Sequence, residues 1–259
     1  MIEQTRPILN HVIRGQGTTV LLIHGLFGSL ENLNMLARAL ENQYQVISID
    51  VRNHGKSFQH PSMDYNDLAN DVVHLLKSLN IDKLAILGHS MGGKIAMQFA
   101  LNHPKMVTKL IVADIAPVLY PPHHNQIIAG LQSIDIEHIN NRQDADQQLA
   151  KYVEEPGVRQ FLLKNLAKSA DGFMWRAHIE FIANDYQNIA QGQQSDTPYL
   201  GDTLFIKGSN SDYIKTEHRN QIATLFPNAK ARIIQGAGHW LHAEKPQSFN
   251  KIVSDFLTN

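Results

Sequence analysis

The sequence predicts an α/β fold, in which parallel strands alternate with helices. Short runs rich in Val, Ile and Leu recur along the chain, and each is followed by a longer segment of helical periodicity. The runs are apolar throughout and do not alternate with polar residues, so both faces of the sheet must be covered by helices. The 259 residues, 43% of them hydrophobic, suffice for one domain with an insertion.

The strands and helices can be placed in chain order from these patterns. The predicted strands are 19–24, 45–50, 84–88, 110–114, 203–207 and 231–234. The predicted helices that cover them are 33–40, 65–79, 91–101, 217–225 and 246–257. Two extended stretches, around Ile8 and at 11–14, predict an N-terminal hairpin at the edge of the sheet.

The alternation of strands and helices stops between Pro117 and Pro198. This segment has no apolar strand run, and helical periodicity dominates it at 126–131, 143–153 and 158–166. Its expected hinges are Pro121-Pro122 and the polar stretch 191–198.

The sequence therefore predicts a core domain over 1–116 and 199–259 and a helical cap over 117–198. The cap follows the strand that ends at Asp114, and open parallel sheets bind ligands beyond the carboxyl ends of their strands. We therefore expect the cap to cover the site. The alternative is a structural subdomain with no role in the chemistry.

Composition and charge exclude several classes of function. The 23 Lys and Arg against 24 Asp and Glu give a net charge of −1, so we expect neither nucleic acid nor a membrane as partner. The absence of cysteine excludes disulfides and thiolate chemistry. The 14 histidines show no metal-ligand spacing, so no metal or cofactor is expected. Without an apolar N-terminal run or a membrane-length segment, we expect a cytoplasmic protein.

The pentapeptide at 88–92 is the most specific signal in the sequence. It reads Gly88-His89-Ser90-Met91-Gly92, directly follows an apolar strand run and directly precedes a helical segment. This is the G-x-S-x-G nucleophile elbow in its strand–turn–helix context. The glycines permit a turn that is too sharp for side chains, so Ser90 is expected to present a free hydroxyl as the nucleophile. The sequence has neither of the glycine-rich motifs that bind nucleotide phosphates.

A serine hydroxyl becomes a good nucleophile only when a base takes its proton. In the chain order that accompanies this elbow, the histidine comes last. His239 fits, because it follows the strand at 231–234 through Gly236-Ala237-Gly238. His242 is the alternative, although no glycine hinge directly precedes it. His89 is adjacent to the nucleophile, but the elbow turns its side chain away, and we expect a packed turn residue.

The acid that orients the histidine has two candidates. Asp114 ends the strand at 110–114, and Asp212 follows the strand at 203–207 through a short polar loop. Both lie where the carboxyl ends of parallel strands meet, which is where open sheets bind ligands. The residues alone leave both candidates open.

Five motifs together resemble the α/β-hydrolase superfamily, and most closely the bacterial YbfF-type esterases and their mitochondrial relatives. The motifs are H-G-L-F-G-S-x-x-N from His24, R-N-H-G-x-S from Arg52, G-H-S-M-G-G-K from Gly88, D-I-A-P-V from Asp114 and G-A-G-H-W-x-H-A-E-K-P from Gly236. The resemblance covers the whole chain. It implies an α/β-hydrolase fold with a mostly parallel central sheet, helices on both faces and a helical cap insertion.

The resemblance also bears on the acid. In most α/β-hydrolases the acid stands three residues after a glycine that follows the penultimate strand. Counting from Gly208 gives Ser211, so Asp212 is one residue late. Some members instead place the acid after the strand that follows the nucleophile strand, where this chain has Asp114. The resemblance implies Asp114, with Asp212 as the alternative.

An ester hydrolase also needs two backbone N–H groups that stabilise the oxyanion. One comes from the residue after the nucleophile, here Met91, and the other from the loop after the third strand, here Leu26. For Arg52 and His54 we favour a turn braced by side-chain hydrogen bonds, and contact with the rim of the site is the alternative.

These residues predict hydrolysis of a carboxylic ester or thioester, acyl-CoA-type thioesters included, through a Ser90, His239 and Asp114 triad and an acyl-enzyme intermediate. The expected partner is a small acyl substrate. Epoxide hydrolases and dehalogenases are excluded, because they need Asp at the elbow. Two alternatives remain. One is a C–C bond hydrolase or cofactor-free perhydrolase with the same triad, and the other is a non-catalytic ligand-binding homologue.

Large apolar residues of the cap are candidates for the substrate pocket. In a polar segment such side chains must be buried, either in the cap core or against the pocket. They suggest an apolar acyl side. The candidates are Leu119, Tyr120, Ile127, Ile128, Phe161, Leu162, Phe173 and Trp175.

Overall fold

A central sheet organises the fold in the computed structural model, which describes residues 7–170 and 172–259. In these ranges the sheet has seven strands in the order β1-β3-β2-β4-β5-β8-β9. All neighbours are parallel except β1 and β3. The strands of this sheet are β1 (His11–Arg14), β2 (Thr19–Ile23), β3 (Gln45–Ile49), β4 (Leu84–His89), β5 (Val107–Ala113), β8 (Asp202–Gly208) and β9 (Ala229–Ile234).

The N-terminal hairpin prediction is wrong. Only His11–Arg14 forms a strand there, and it pairs antiparallel with β3, while Ile8 lies outside the ladder and is half exposed. The physical reason is that the open edge of β3 offers a complete set of backbone partners to β1. The turn that a separate hairpin would need is therefore not formed.

Helices cover both faces of the sheet, as the uniformly apolar strands predict. Alternate residues of β2 show this division, because Val20 and Leu22 face one hydrophobic cluster and Leu21 and Ile23 face the other. Helices α1 and α11 pack on the first face, and α2, α3 and α9 pack on the second. The covering helices are α1 (Asn34–Leu40), α2 (Tyr65–Ser78), α3 (Met91–Asn102), α9 (Arg219–Leu225), α10 (Leu241–Glu244) and α11 (Pro246–Thr258).

The segment between β5 and β8 is the part of the chain for which the sequence predicts an insertion. It contains five helices within the described residues, together with an antiparallel hairpin of two short strands. The helices are α4 (Asn125–Ser133), α5 (Arg142–Leu149), α6 (Pro156–Leu162), α7 (Ile179–Asn184) and α8 (Tyr186–Ala190), and the strands are β6 (Leu166–Ser169) and β7 (Gly172–Trp175).

The hairpin departs from the helical pattern predicted for this segment. The sequence predicted a helix that ends at residue 166. In the structure α6 ends at Leu162, and β6 begins at Leu166. In β7 the half-buried Phe173 and Trp175 alternate with exposed residues, which is the period of a strand. Four residues are too short for this alternation to stand out in the sequence. Across the described chain, no helix combines the length and apolar character needed to cross a bilayer.

Candidate active site

Ser90 lies in a strained turn between β4 and α3. Its backbone has φ 55° and ψ −122°, in a region that residues with a side chain rarely adopt. The turn also requires glycine on either side. A Cβ on Gly88 would lie 1.9 Å from the carbonyl oxygen of Gly92, and a Cβ on Gly93 would lie 2.6 Å from Ile115. This packing holds Ser90 at the carboxyl end of the central strand.

His239 lies in the loop after β9 and contacts Ser90. Its Nε2 is 3.0 Å from the Ser90 Oγ. Its ring stacks on Tyr213 with 3.8 Å between centroids and 19° between planes. His89 donates a hydrogen bond of 2.8 Å from its Nε2 to the His239 carbonyl. His89, the last residue of β4, thus connects the strand that precedes Ser90 to the loop that carries His239.

Two further histidines near the site, His89 and His242, have lowered pKa values. Burial, followed by the proximity of His242 and His239, lowers the pKa of His89 well below its usual value. Burial, followed by the proximity of His239, lowers the pKa of His242 to about 4. The His242 ring packs edge-on against His89 at 4.4 Å, and its Nδ1 has no hydrogen-bond partner among the described residues. Of the two predicted bases, the structure brings His239 to Ser90.

Asp114 is fully buried directly after β5. Its Oδ2 lies 2.7 Å from the His239 Nδ1, and its Oδ1 accepts a 3.0 Å hydrogen bond from the Gly208 N–H. The Ser211 hydroxyl also donates to its Oδ2. Asp212, the alternative acid, is exposed in the loop after β8. The structure therefore brings Asp114 to the histidine and leaves Asp212 at the surface.

The sequence predicted Leu26 and Met91 as the two backbone N–H donors of an oxyanion hole. Both residues line a cavity that Ser90 also lines. Among the described residues, neither N–H donates to a protein acceptor. Unsatisfied donors at a buried site are available to an incoming oxygen, which is the arrangement that an oxyanion hole requires.

The loop that carries Leu26 is held by residues distant in sequence. The Phe27 N–H donates to His54 Nε2 at 3.1 Å, and the Phe27 carbonyl accepts from Asn165 Nδ2 at 2.7 Å. The His24 Nε2 accepts from the Val51 N–H at 3.0 Å. His24 and Asn165 were not among the predicted site residues. The sequence signal for His24 was its place at the start of the H-G-L-F-G-S-x-x-N motif.

Arg52 and His54 brace the turn after β3, as favoured from the sequence. Arg52 is 1% exposed, and its Nε lies 2.6 Å from Asp71. His54 donates from Nδ1 to the Arg52 carbonyl, so its Nε2 is free to accept from Phe27. Burial, followed by the proximity of His24, lowers the pKa of His54 to about 3, which keeps this acceptor unprotonated at neutral pH.

Two cavities flank Ser90. The smaller is about 30 Å³, and the larger is about 240 Å³. Leu26, Ser90, His124 and Tyr213 line both of them. The serine is therefore the point at which the two spaces meet.

Some of the predicted cap residues line these two cavities, and the others lie at the surface or in the hydrophobic core. Tyr120 lines the smaller cavity, and Ile127, Phe161 and Leu162 line the larger one. Leu119 is 62% exposed. The remaining three pack with the hydrophobic core and line neither cavity: Ile128, Phe173 and Trp175.

Comparison with known proteins identifies the family of this chain. Residues 18–246 match the family of the alpha/beta hydrolase fold. The chain is 39% identical to the sn-1-specific diacylglycerol lipase ABHD11 of Mus musculus over 97% of this chain and 85% of that protein. It is also 39% identical to the esterase YbfF of Escherichia coli over 93% of each. A solved structure of a marine microorganism esterase superposes with a TM-score of 0.94 at 40% identity, covering 97% of this chain and 100% of that one. The chain belongs to the α/β-hydrolase family.

Proposed function

We propose that the chain, a carboxylic ester hydrolase, acts through Ser90 as nucleophile, His239 as general base and Asp114 as the acid that orients the histidine. The observation that carries this assignment is the continuous line of contacts from the Ser90 Oγ through both nitrogens of His239 to the Asp114 carboxylate. The names of the relatives, an esterase and a diacylglycerol lipase, support an ester as the substrate.

The first half of the reaction forms an acyl-enzyme. The Ser90 Oγ attacks the acyl carbon while its proton passes to His239 Nε2, and Asp114 stabilises the resulting imidazolium. The negative oxygen of the tetrahedral intermediate accepts hydrogen bonds from the N–H groups of Leu26 and Met91, each worth roughly 3 to 4 kcal/mol. The intermediate collapses when His239 gives its proton to the leaving alcohol.

The second half releases the acid. A water molecule loses its proton to His239 and attacks the acyl carbon, and the second tetrahedral intermediate collapses as Ser90 regains its proton from His239. The products are the carboxylic acid and the free enzyme. The same steps apply to a thioester with a thiol as leaving group, and we include thioesters in the proposed substrate range.

A fluorophosphonate probe tests the nucleophile. It reacts with an activated serine and leaves a stable phosphonyl adduct, which intact mass spectrometry detects. We expect one adduct per wild-type chain and none in Ser90→Ala. An acyl-chain series of p-nitrophenyl esters, run beside the matching acyl-CoA thioesters, then compares the two substrate classes. Failure of the probe to label the wild type would contradict the proposal.

A further inference from the structure

The two cavities beside Ser90 differ in which catalytic groups they contain, and this inference rests on the proposed function. His239 lines only the larger cavity, and Met91 lines only the smaller one. The histidine must protonate the leaving group, so the leaving group has to depart on the side of His239. The larger cavity therefore takes the alcohol, and the smaller cavity takes the acyl chain.

Lys94 lines the acyl cavity one helical turn beyond Ser90. It is 2% exposed, and all three of its N–H donors are used by backbone carbonyls. These belong to Val118 at 3.0 Å, Ala190 at 2.9 Å and Gln191. The ammonium also lies 4.8 Å from the centroid of the Tyr120 ring, another wall of the same cavity.

The three carbonyls belong to the two connections between the core and the insertion. Val118 follows β5 on the outgoing connection, while Ala190 ends α8 and Gln191 begins the returning connection. The two connections touch each other at this point, because a Cβ on Gly192 would lie 2.9 Å from the Pro117 carbonyl oxygen. Burial lowers the pKa of Lys94 to about 7.

We propose that Lys94 determines the length of the acyl chain. Its side chain forms part of the wall of the acyl cavity, and its three hydrogen bonds fix that wall to both connections of the insertion. The acyl cavity is about 30 Å³ and the cavity on the alcohol side is about 240 Å³, so we expect the acyl side to hold the smaller group. The substrate class is an ester of a short carboxylic acid with a bulkier alcohol.

The wild-type enzyme provides the first test, which needs no variant. One series varies the acyl chain of p-nitrophenyl esters from acetyl to octanoyl, and a second varies the alcohol of acetate esters from ethyl to octyl. We expect kcat/KM to fall at least tenfold beyond the first few acyl carbons, and to change less than threefold along the alcohol series. Equal tolerance on both sides, or a preference for long acyl chains, would overturn the proposal.

Variants of Lys94 test the wall itself. Lys94→Ala removes the wall and is expected to raise kcat/KM for octanoate relative to acetate at least tenfold. Lys94→Met keeps a side chain of similar length without the hydrogen bonds, so its ratio should stay within threefold of wild type. Gln98→Ala is the matched control. Gln98 lies one turn farther along α3, is 4% exposed and contacts the Gln194 carbonyl of the returning connection, but it does not line the cavity.

The outcomes separate this proposal from the function on which it rests. An unchanged chain-length ratio in Lys94→Ala, or an equal shift in Gln98→Ala, would show that Lys94 is not the wall. In either case, loss of ester hydrolysis in Ser90→Ala would leave the proposed function standing. If Ser90→Ala keeps its activity, the proposed function itself fails.

Discussion

The carboxylate of Asp114 accepts a hydrogen bond from the hydroxyl of Ser211, which stands in the loop after β8. Ser211 is the third residue after Gly208, the position to which the common α/β-hydrolase spacing assigns the acid. The two places from which an acid can reach the histidine are therefore neighbours in this fold. In this chain the position after β5 holds the Asp114 carboxylate, and the position after β8 holds the Ser211 hydroxyl, which donates a hydrogen bond to that carboxylate.

Neutralising the two candidate acids should have very different effects. Asp114→Asn removes the charge that orients His239 and stabilises its imidazolium, so kcat should fall by about 10⁴. Asp212→Asn alters an exposed side chain and should leave kcat within about threefold of wild type. Steady-state hydrolysis of p-nitrophenyl acetate measures both. The reverse ranking would assign the acid to the loop after β8.

Moving the carboxylate should restore part of the lost activity. In Asp114→Asn with Ser211→Asp, the new carboxylate stands where the Ser211 hydroxyl now meets Asp114, within reach of the His239 Nδ1. We expect kcat at least tenfold above that of Asp114→Asn alone. The single variant Ser211→Asp is the control for damage to the fold. No gain in the double variant, with a normal melting temperature, would show that the two positions are not equivalent.

Local patterns were sufficient to predict the main elements of the fold. Apolar runs located the six parallel strands, and the elbow located Ser90 at the end of β4. Long-range contacts were not predictable in this way. Asn165 reaches the Phe27 carbonyl in the loop after β2 across 138 residues, and Lys94 reaches Gln191 across 97. Such pairs depend on the packing of the insertion against the core, which no spacing within the sequence encodes.

His54 should make stability depend on pH. Its folded pKa of about 3 lies below the unfolded value of 6.5, so between these values the unfolded chain binds more protons. The free energy of unfolding should therefore fall as pH decreases from 6.5, by about 1.4 kcal/mol per unit from this group.

The variant His54→Gln isolates this contribution, because glutamine still accepts from the Phe27 N–H but does not titrate. Urea unfolding at pH 6.5, 5.5 and 4.5 gives the difference in unfolding free energy between wild type and variant. As the pH falls, we expect the unfolding free energy of the wild type to decrease more than that of His54→Gln. A difference that is constant with pH would contradict the neutral, hydrogen-bonded state of His54.

Phe161 and Phe173 should affect different properties. Phe161 lines the larger cavity and packs against Trp240 with 5.4 Å between ring centroids. Phe161→Ala should change the preference among alcohols by roughly 1 to 3 kcal/mol in kcat/KM. Phe173 packs half-buried against the core, so Phe173→Ala should lower the melting temperature and leave the substrate profile unchanged. An altered profile in Phe173→Ala would place this residue at the pocket.

The turnover number of Ser90→Ala tests the central claim most directly. The variant keeps the fold, as circular dichroism and thermal unfolding can verify, but it lacks the oxygen that forms the acyl-enzyme. We predict that kcat for p-nitrophenyl acetate falls on the order of 10⁶-fold, the scale known for serine proteases that lose their nucleophile. Hydrolysis by a folded Ser90→Ala within tenfold of wild type would contradict the assignment of Ser90 as nucleophile.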